Sequence, residues 1–265
     1  MKTQVSKKHG GLHHGLLNFY FLLFTCIGLS FIPPKKKLTI YLAGDSTMAD
    51  KKVAAFPKTG WGTRFRNFFD SSVSIVNKAQ NGRSTRTFMT DGLWKQIADS
   101  LQADDYVLIQ FGHNDEVPTK AAATTEKEFR SNLNLYIEQT RSKKAMPVLI
   151  TPVTRRSFDS SGNLQDTHAR YAQIIRETAA ENKVLLIDLD KESMALLLRF
   201  GPERSKWLYN HLQPGENPNY PDGKADDTHF NEMGARKMAE IVLADLRKLS
   251  PEIDSRVIKS NMGVK

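Results

Sequence analysis

Three kinds of side chain that together can open an ester stand far apart in this sequence. Ser46 follows an apolar run at residues 38–43, in the string Gly44-Asp45-Ser46-Thr47. Toward the other end, Asp226-Asp227-Thr228-His229 sets a carboxylate three residues ahead of an imidazole. In acyl transfer the imidazole takes the hydroxyl proton, while the acid fixes the ring tautomer and stabilises the imidazolium. Ser46, His229 and Asp226 are therefore the candidate nucleophile, base and orienting acid. The reaction also needs donors for the oxyanion that develops on the carbonyl. Ser46, expected at the mouth of a helix, offers its own N–H. Gly82, in Gln80-Asn81-Gly82-Arg83-Ser84, can bring a backbone N–H close because it has no side chain. Asn114, in Gly112-His113-Asn114-Asp115, offers a neutral amide donor.

Each of these residues alone has a plainer reading. Asp45 and Ser46 suit a helix cap, Gly82 a turn of positive φ, Asn114-Asp115 an Asx turn, and Asp226–His229 a cap with a surface histidine. The elements that must position them decide the matter. Apolar, β-branched-rich stretches occupy residues 38–43, Val73–Asn77, 106–111, 148–151 and 184–189. Their nearly continuous apolar character fits parallel strands covered on both faces. Helical patterns lie between them, at 61–69, at 93–101, from the capping-box-like Thr125-Glu126-Lys127-Glu128 to about 144, after a cap at Asp166, and at 235–249. Strand–helix alternation predicts a doubly wound α/β/α three-layer sandwich around a five-stranded parallel sheet. In such a sheet ligands bind beyond the carboxyl ends of the strands. The Ser46, Gly82 and Asn114 loops follow the first three strands, and the Asp226/His229 pair precedes the last helix, so topology gathers all four at one edge. The Pro-, Gly- and Asn-rich loop at 213–224 is expected beside them, and the tail after about 250 is expected to be loose.

The 265 residues fit one α/β domain or two small ones and can bury a substantial core, and 40% hydrophobic with 25% charged residues excludes a disordered or collagen-like chain. Lys2, Lys7 and Lys8 precede an apolar run at 16–32, with small residues in Gly28-Leu29-Ser30 before Pro33-Pro34. Residues 1–30 thus read as a signal peptide, or an uncleaved anchor, directing export to the periplasm or beyond, with residues 31–265 as the catalytic domain. The formal charge is +9, and removing those three leader lysines leaves +6. That balance favours an anionic substrate over a cationic one. Arg83, Arg86, His113, Arg155 and Arg156 are candidates to meet it. No dense basic stripe interleaved with aromatics marks a nucleic-acid binder. Cys26, the only cysteine, lies in the leader, so thiol catalysis and cysteine-ligated zinc are excluded for the mature chain. The seven histidines show no HExxH spacing, so no metal and no cofactor is expected.

These four blocks resemble those of the SGNH (GDSL-type) hydrolases: Gly-Asp-Ser, a glycine after the second strand, Gly-x-Asn-Asp, and Asp-x-x-His. Within that superfamily the chain is similar to the rhamnogalacturonan acetylesterases, through Leu42-Ala43-Gly44-Asp45-Ser46-Thr47, Asn81-Gly82-Arg83-Ser84, Gln110-Phe111-Gly112-His113-Asn114-Asp115, Thr151-Pro152-Val153-Thr154-Arg155-Arg156 and Asp227-Thr228-His229-Phe230. Thr47 stands where the GDSL name has leucine. The resemblance covers about residues 38–249. It implies a flavodoxin-like topology and a secreted, cofactor-free serine esterase that removes O-acetyl groups from pectic polysaccharide through an acetyl-enzyme. Two other readings share the mechanism, namely a lipase or thioesterase and an acetylxylan esterase. A non-catalytic exported glycan-binding protein would have lost part of this set, which is intact here.

Overall fold

The apolar stretches form five strands, β1 (Leu38–Gly44), β2 (Val73–Asn77), β3 (Tyr106–Gln110), β4 (Met146–Ile150) and β5 (Leu185–Ile187), in a computed structural model that describes residues 1–5 and 35–259. All pair in parallel, in the order β2-β1-β3-β4-β5. Side chains alternate across a strand, so each interior strand feeds two cores. Leu38, Ile40 and Leu42 of β1 join Trp61, Phe65, Met238 and Val242 on one face. Tyr41 and Ala43 join Phe88, Trp94, Phe129 and Tyr136 on the other. Apolar residues at every position are what a strand covered on both faces requires.

The helices are α1 (Trp61–Phe65), α2 (Thr85–Thr90), α3 (Leu93–Ser100), α4 (Glu126–Ser142), α5 (Ala169–Asn182), α6 (Leu189–Arg204), α7 (Glu232–Leu249) and α8 (Pro251–Asp254). Helices α1, α6 and α7 pack against the first face, and α2 to α5 against the second, giving the expected three layers. The apolar run of the leader, Cys26 and the expected cleavage point fall outside the described residues.

Several expectations are corrected at element ends. No helix opens at Ser46. Residues 45–49 make a tight turn in which Ala49 N–H donates to Asp45 O at 3.1 Å, and the next α-helix begins only at Trp61. Asp166 does not cap α5; its Oδ1 accepts the N–H of His168 at 3.0 Å, one residue ahead of the helix. Thr125 caps α4 by accepting from Glu128 N–H, yet Glu128 is spread toward Arg86 rather than back over the cap. Helix α7 starts three residues before the apolar pattern, because Asn231 Oδ1 accepts the Gly234 N–H at 3.0 Å and caps that turn. The stretch after Pro251 is docked as far as it is described: Ile253 is buried, and Ile258 N–H donates to Phe68 O at 2.9 Å. Ser250 capping Ile253 N–H, followed by proline, starts a short helix there and turns the chain back onto the core.

Candidate active site

Strand order 2-1-3-4-5 reverses direction at β1 and β3, so the loops leaving those two strands part and leave a crevice. Ser46 leaves β1 and Asn114 leaves β3 beside that crevice. The Ser46 turn is held from beneath by a buried polar chain. Trp61 Nε1 donates to Gln110 Oε1 at 2.6 Å, Gln110 Nε2 donates to Thr47 Oγ1 at 2.6 Å, and Thr47 Oγ1 donates to Asp45 Oδ1 at 2.8 Å. Burial raises the Asp45 carboxyl above its ordinary range, although Thr47 works against the shift. The bonds made by Gln110 and Trp61 were not foreseen, although Gln110 opens the Gln110–Asp115 block; the signal for it was an amide ending an otherwise apolar strand.

His229 meets Ser46. Its Nε2 lies 2.9 Å from Ser46 Oγ, and its Nδ1 lies 2.9 Å from Asp226 Oδ2. With Asp226 accepting at Nδ1–H, the neutral ring presents the Nε2 lone pair to the serine hydroxyl. The pair does not sit on a helix turn. Asp226 Oδ1 accepts the N–H groups of Thr228 and His229, at 3.0 and 2.9 Å, and folds 226–229 into a turn ahead of α7. Burial tends to raise the Asp226 carboxyl, but the hydrogen bonds and charge of His229 outweigh it and hold the group well below the usual carboxylate range. Behind this turn Arg156 donates to Asp227 Oδ1 at 2.7 Å, and His211 contacts the same oxygen at 2.8 Å.

The three candidate oxyanion donors border the same space. Ser46, Gly82, Asn114 and His229 line one cavity of about 380 Å³, together with Asn81, Thr228, His113 and the cations Lys58, Lys120 and Arg155. Among the described residues, the N–H groups of Ser46 and Gly82 find no protein acceptor. Asn114 Nδ2 spends one hydrogen on Arg83 O at 2.9 Å, while its Oδ1 accepts from Lys120 Nζ at 2.9 Å. The amide is thereby oriented, with its second N–H hydrogen uncommitted. Gly82 has φ +76°, and a Cβ there would meet nothing within 4 Å. The positive φ is a conformation that calls for glycine, as the turn reading expected.

The candidate substrate contacts divide. His113 and Arg155 line the cavity, with Arg155 paired to Glu116 at 2.6 Å. Burial, reinforced by His168 and Arg155, holds the His113 imidazole neutral, well below its ordinary pKa. Arg83, Arg86 and Arg156 do not line it. Arg83 pairs with Asp91 at 2.8 Å, Arg86 donates to Ala121 O at 2.5 Å, and Arg156 braces the His229 turn. Each headgroup has a partner within the protein, which residue type alone does not reveal. Lys58 and Lys120 were missed, since single lysines in loops carry no spacing signal. Larger grooves of about 650 and 930 Å³ flank the exposed Trp207 and contain none of the four converging groups. Among the described residues, no three His, Cys, Asp or Glu side chains are grouped as metal ligands would be.

Residues 42–237 match the model of the GDSL-like lipase/acylhydrolase family. The chain is 39% identical over 226 residues to the rhamnogalacturonan acetylesterase RhgT of Bacillus subtilis (strain 168), covering 84% of this chain and 96% of that one. It is 30% identical to a rhamnogalacturonan acetylesterase of Emericella nidulans, covering 81% of this chain and 87% of that one. The crystal structure of the Bacillus subtilis protein YxiM superimposes with a TM-score of 0.69 at 30% identity, over 82% of this chain and 58% of that longer one. The chain belongs to the GDSL-like lipase/acylhydrolase family.

Proposed function

We propose that this member of the GDSL-like lipase/acylhydrolase family is a serine carbohydrate esterase that removes O-acetyl groups from pectic polysaccharide. The observation that carries the reading is the unbroken chain from Ser46 Oγ through His229 to Asp226, opening on a cavity that holds two uncommitted backbone N–H groups. Ser46 Oγ attacks the acetyl carbonyl as His229 Nε2 takes its proton, and the new oxyanion is met by Ser46 N–H, Gly82 N–H and Asn114 Nδ2. Collapse of that intermediate expels the sugar alkoxide, which receives the proton from His229, and leaves an acetyl-enzyme. Water then attacks the acetyl carbon, giving its proton to His229, and Ser46 departs with that proton as acetate is released. Asp226 remains a carboxylate throughout and stabilises the imidazolium.

The substrate assignment is supported by the named relatives and by the chemistry of the lining. Lys58, Lys120 and Arg155 put positive charge around a small cavity, which suits an acidic sugar. Among the described residues, no Leu, Ile, Val, Met, Phe, Tyr or Trp lines it, which disfavours a long acyl chain. Export is part of the proposal and rests on the leader sequence.

Ser46→Ala, checked for retained fold by circular dichroism, is expected to lose activity on an acetyl ester by several orders of magnitude. An organophosphonate is expected to label Ser46 in the unaltered protein. Near-full activity in the variant would end the serine mechanism. Faster turnover on long-chain esters than on acetyl esters would instead favour the lipase reading.

A further inference from the structure

Lys51 has no place in the mechanism above, yet its ammonium reaches two of the loops that build the site. It donates to the main-chain carbonyl of Ser46 in a short contact, and to Asn81 Oδ1 at 2.6 Å. Its neighbour Lys52 is exposed, whereas Lys51 is partly buried. The two loops it joins leave different strands, β1 and β2, and each contributes one candidate oxyanion N–H. The Ser46 carbonyl belongs to the peptide that follows the nucleophile, so a bond there constrains the serine's ψ. Asn81 supplies the carbonyl end of the peptide whose N–H is Gly82's, and that carbonyl is separately held by Arg83 Nη1 at 2.9 Å. One cation thus spans the gap between the nucleophile and the second backbone donor.

We propose that Lys51 is a positioning residue that sets the spacing of the Ser46 turn and the Gly82 loop, acting at full strength only while its amine is protonated. The inference rests on the serine-esterase reading of the site. A protonated amine makes charge-assisted hydrogen bonds roughly twice as strong as a neutral one. The surroundings make that proton labile. Burial, followed by repulsion from Lys58, pushes the amine down to about 8, and the carboxylates of Asp45, Asp226 and Asp50 only partly restore it. Lys58 lies in the loop before α1, Asp45 and Asp50 flank the Ser46 turn, and Asp226 belongs to the His229 turn, while the Gly82 loop meets the ammonium through the neutral amide of Asn81. The sign follows directly. The clamp is charged below about pH 8 and loses its proton as the pH rises through that value, so turnover should fall on the alkaline side.

The test is a kcat–pH profile on 4-nitrophenyl acetate for the unaltered protein, Lys51→Met, Lys51→Arg and Asn81→Asp, each titrated for active serine with the organophosphonate. The unaltered enzyme should lose turnover above about pH 8. K51M should be about tenfold slower at neutral pH, within the range that small misplacements of reacting groups can cost, with KM changed less than about twofold and the alkaline limb gone. K51R should recover most of that turnover and stay flat to higher pH, because a guanidinium does not titrate there. N81D places a carboxylate against the ammonium and should move the limb up by about one unit, a readout that does not depend on K51M folding. Full turnover in K51M, an alkaline limb that survives in K51M or stays put in N81D, or a flat profile in the unaltered enzyme would each overturn the proposal. Absence of phosphonate label on Ser46 of the unaltered enzyme would instead overturn the esterase reading itself.

Discussion

Asn114 is the candidate oxyanion donor whose contribution can be measured most directly, because its amide is held at both ends with one N–H hydrogen to spare. Arg83 O and Lys120 Nζ hold it in one orientation, so removing it should cost chemistry more than binding. Asn114→Ala is expected to lower kcat by about 10²–10³ with KM little changed, the usual range for one oxyanion donor. A rise in KM at constant kcat would assign the amide to substrate binding. Asp226→Asn keeps the shape of its partner but offers the ring no anion, and should lower kcat by on the order of 10²–10⁴. Residue types announced the hydroxyl, imidazole and acid, since few other arrangements need all three. They did not announce Lys51, Gln110 or the duties of Arg83 and Arg156, because a polar side chain acquires its partner only when the chain folds.

The Ser46 turn depends on how closely α1 can approach it. A Cβ on Gly60, which caps α1, would lie 2.1 Å from Ala49 O and 2.6 Å from Met48 C. Gly60→Ala must push the 48–49 backbone, and is expected to cost about 1–3 kcal/mol of stability, with kcat falling more than KM changes. An unchanged melting temperature would show that the turn yields freely. Asp115 joins β3's loop to α2, its Oδ1 accepting Thr85 N–H at 2.9 Å and Thr85 Oγ1 at 2.6 Å. Burial raises its carboxyl to about 7 despite those bonds. The folded state therefore prefers the protonated acid, so this group's stabilisation is full below the unfolded value of about 4 and is lost as the pH rises through about 7. Asp115→Asn cannot ionise, and its melting temperature relative to the unaltered protein should climb between pH 4 and 8; a constant difference would refute the shift. The interior strands β3 and β4 were readable because burial on both faces leaves almost only apolar residues along them, whereas edge strand β2 showed through Val73, Ile75 and Val76. Helix α2 was not, since its six residues are defined by the reciprocal Ser84–Thr87 cap rather than by an apolar stripe. Helix α6 was missed as well; Gly201 at φ 72° followed by Pro202 breaks its helical geometry near the C-terminal end.

Charge and connectivity act over the full chain. With a formal charge of +9 and cations around the site, KM on an acidic acetylated polysaccharide should rise as salt approaches about 1 M, where screening acts within about 3 Å. KM on a neutral acetyl ester should barely move, and equal salt responses would remove electrostatics from substrate capture. The gathering of four loops at one sheet edge was foreseeable from strand–helix alternation, whereas the docking of residues 251–259 was not, because short polar stretches reveal their contacts only in three dimensions. Ser46 and His229, 183 positions apart, touch. A chain still emerging from the ribosome that stops short of residue 226 holds the serine but lacks Asp226 and His229, and is expected to be inactive on acetyl esters. Two inactive fragments divided within the exposed turn at 159–162 would regain acetate release only on reassembly, making hydrolysis itself a reporter of completed folding.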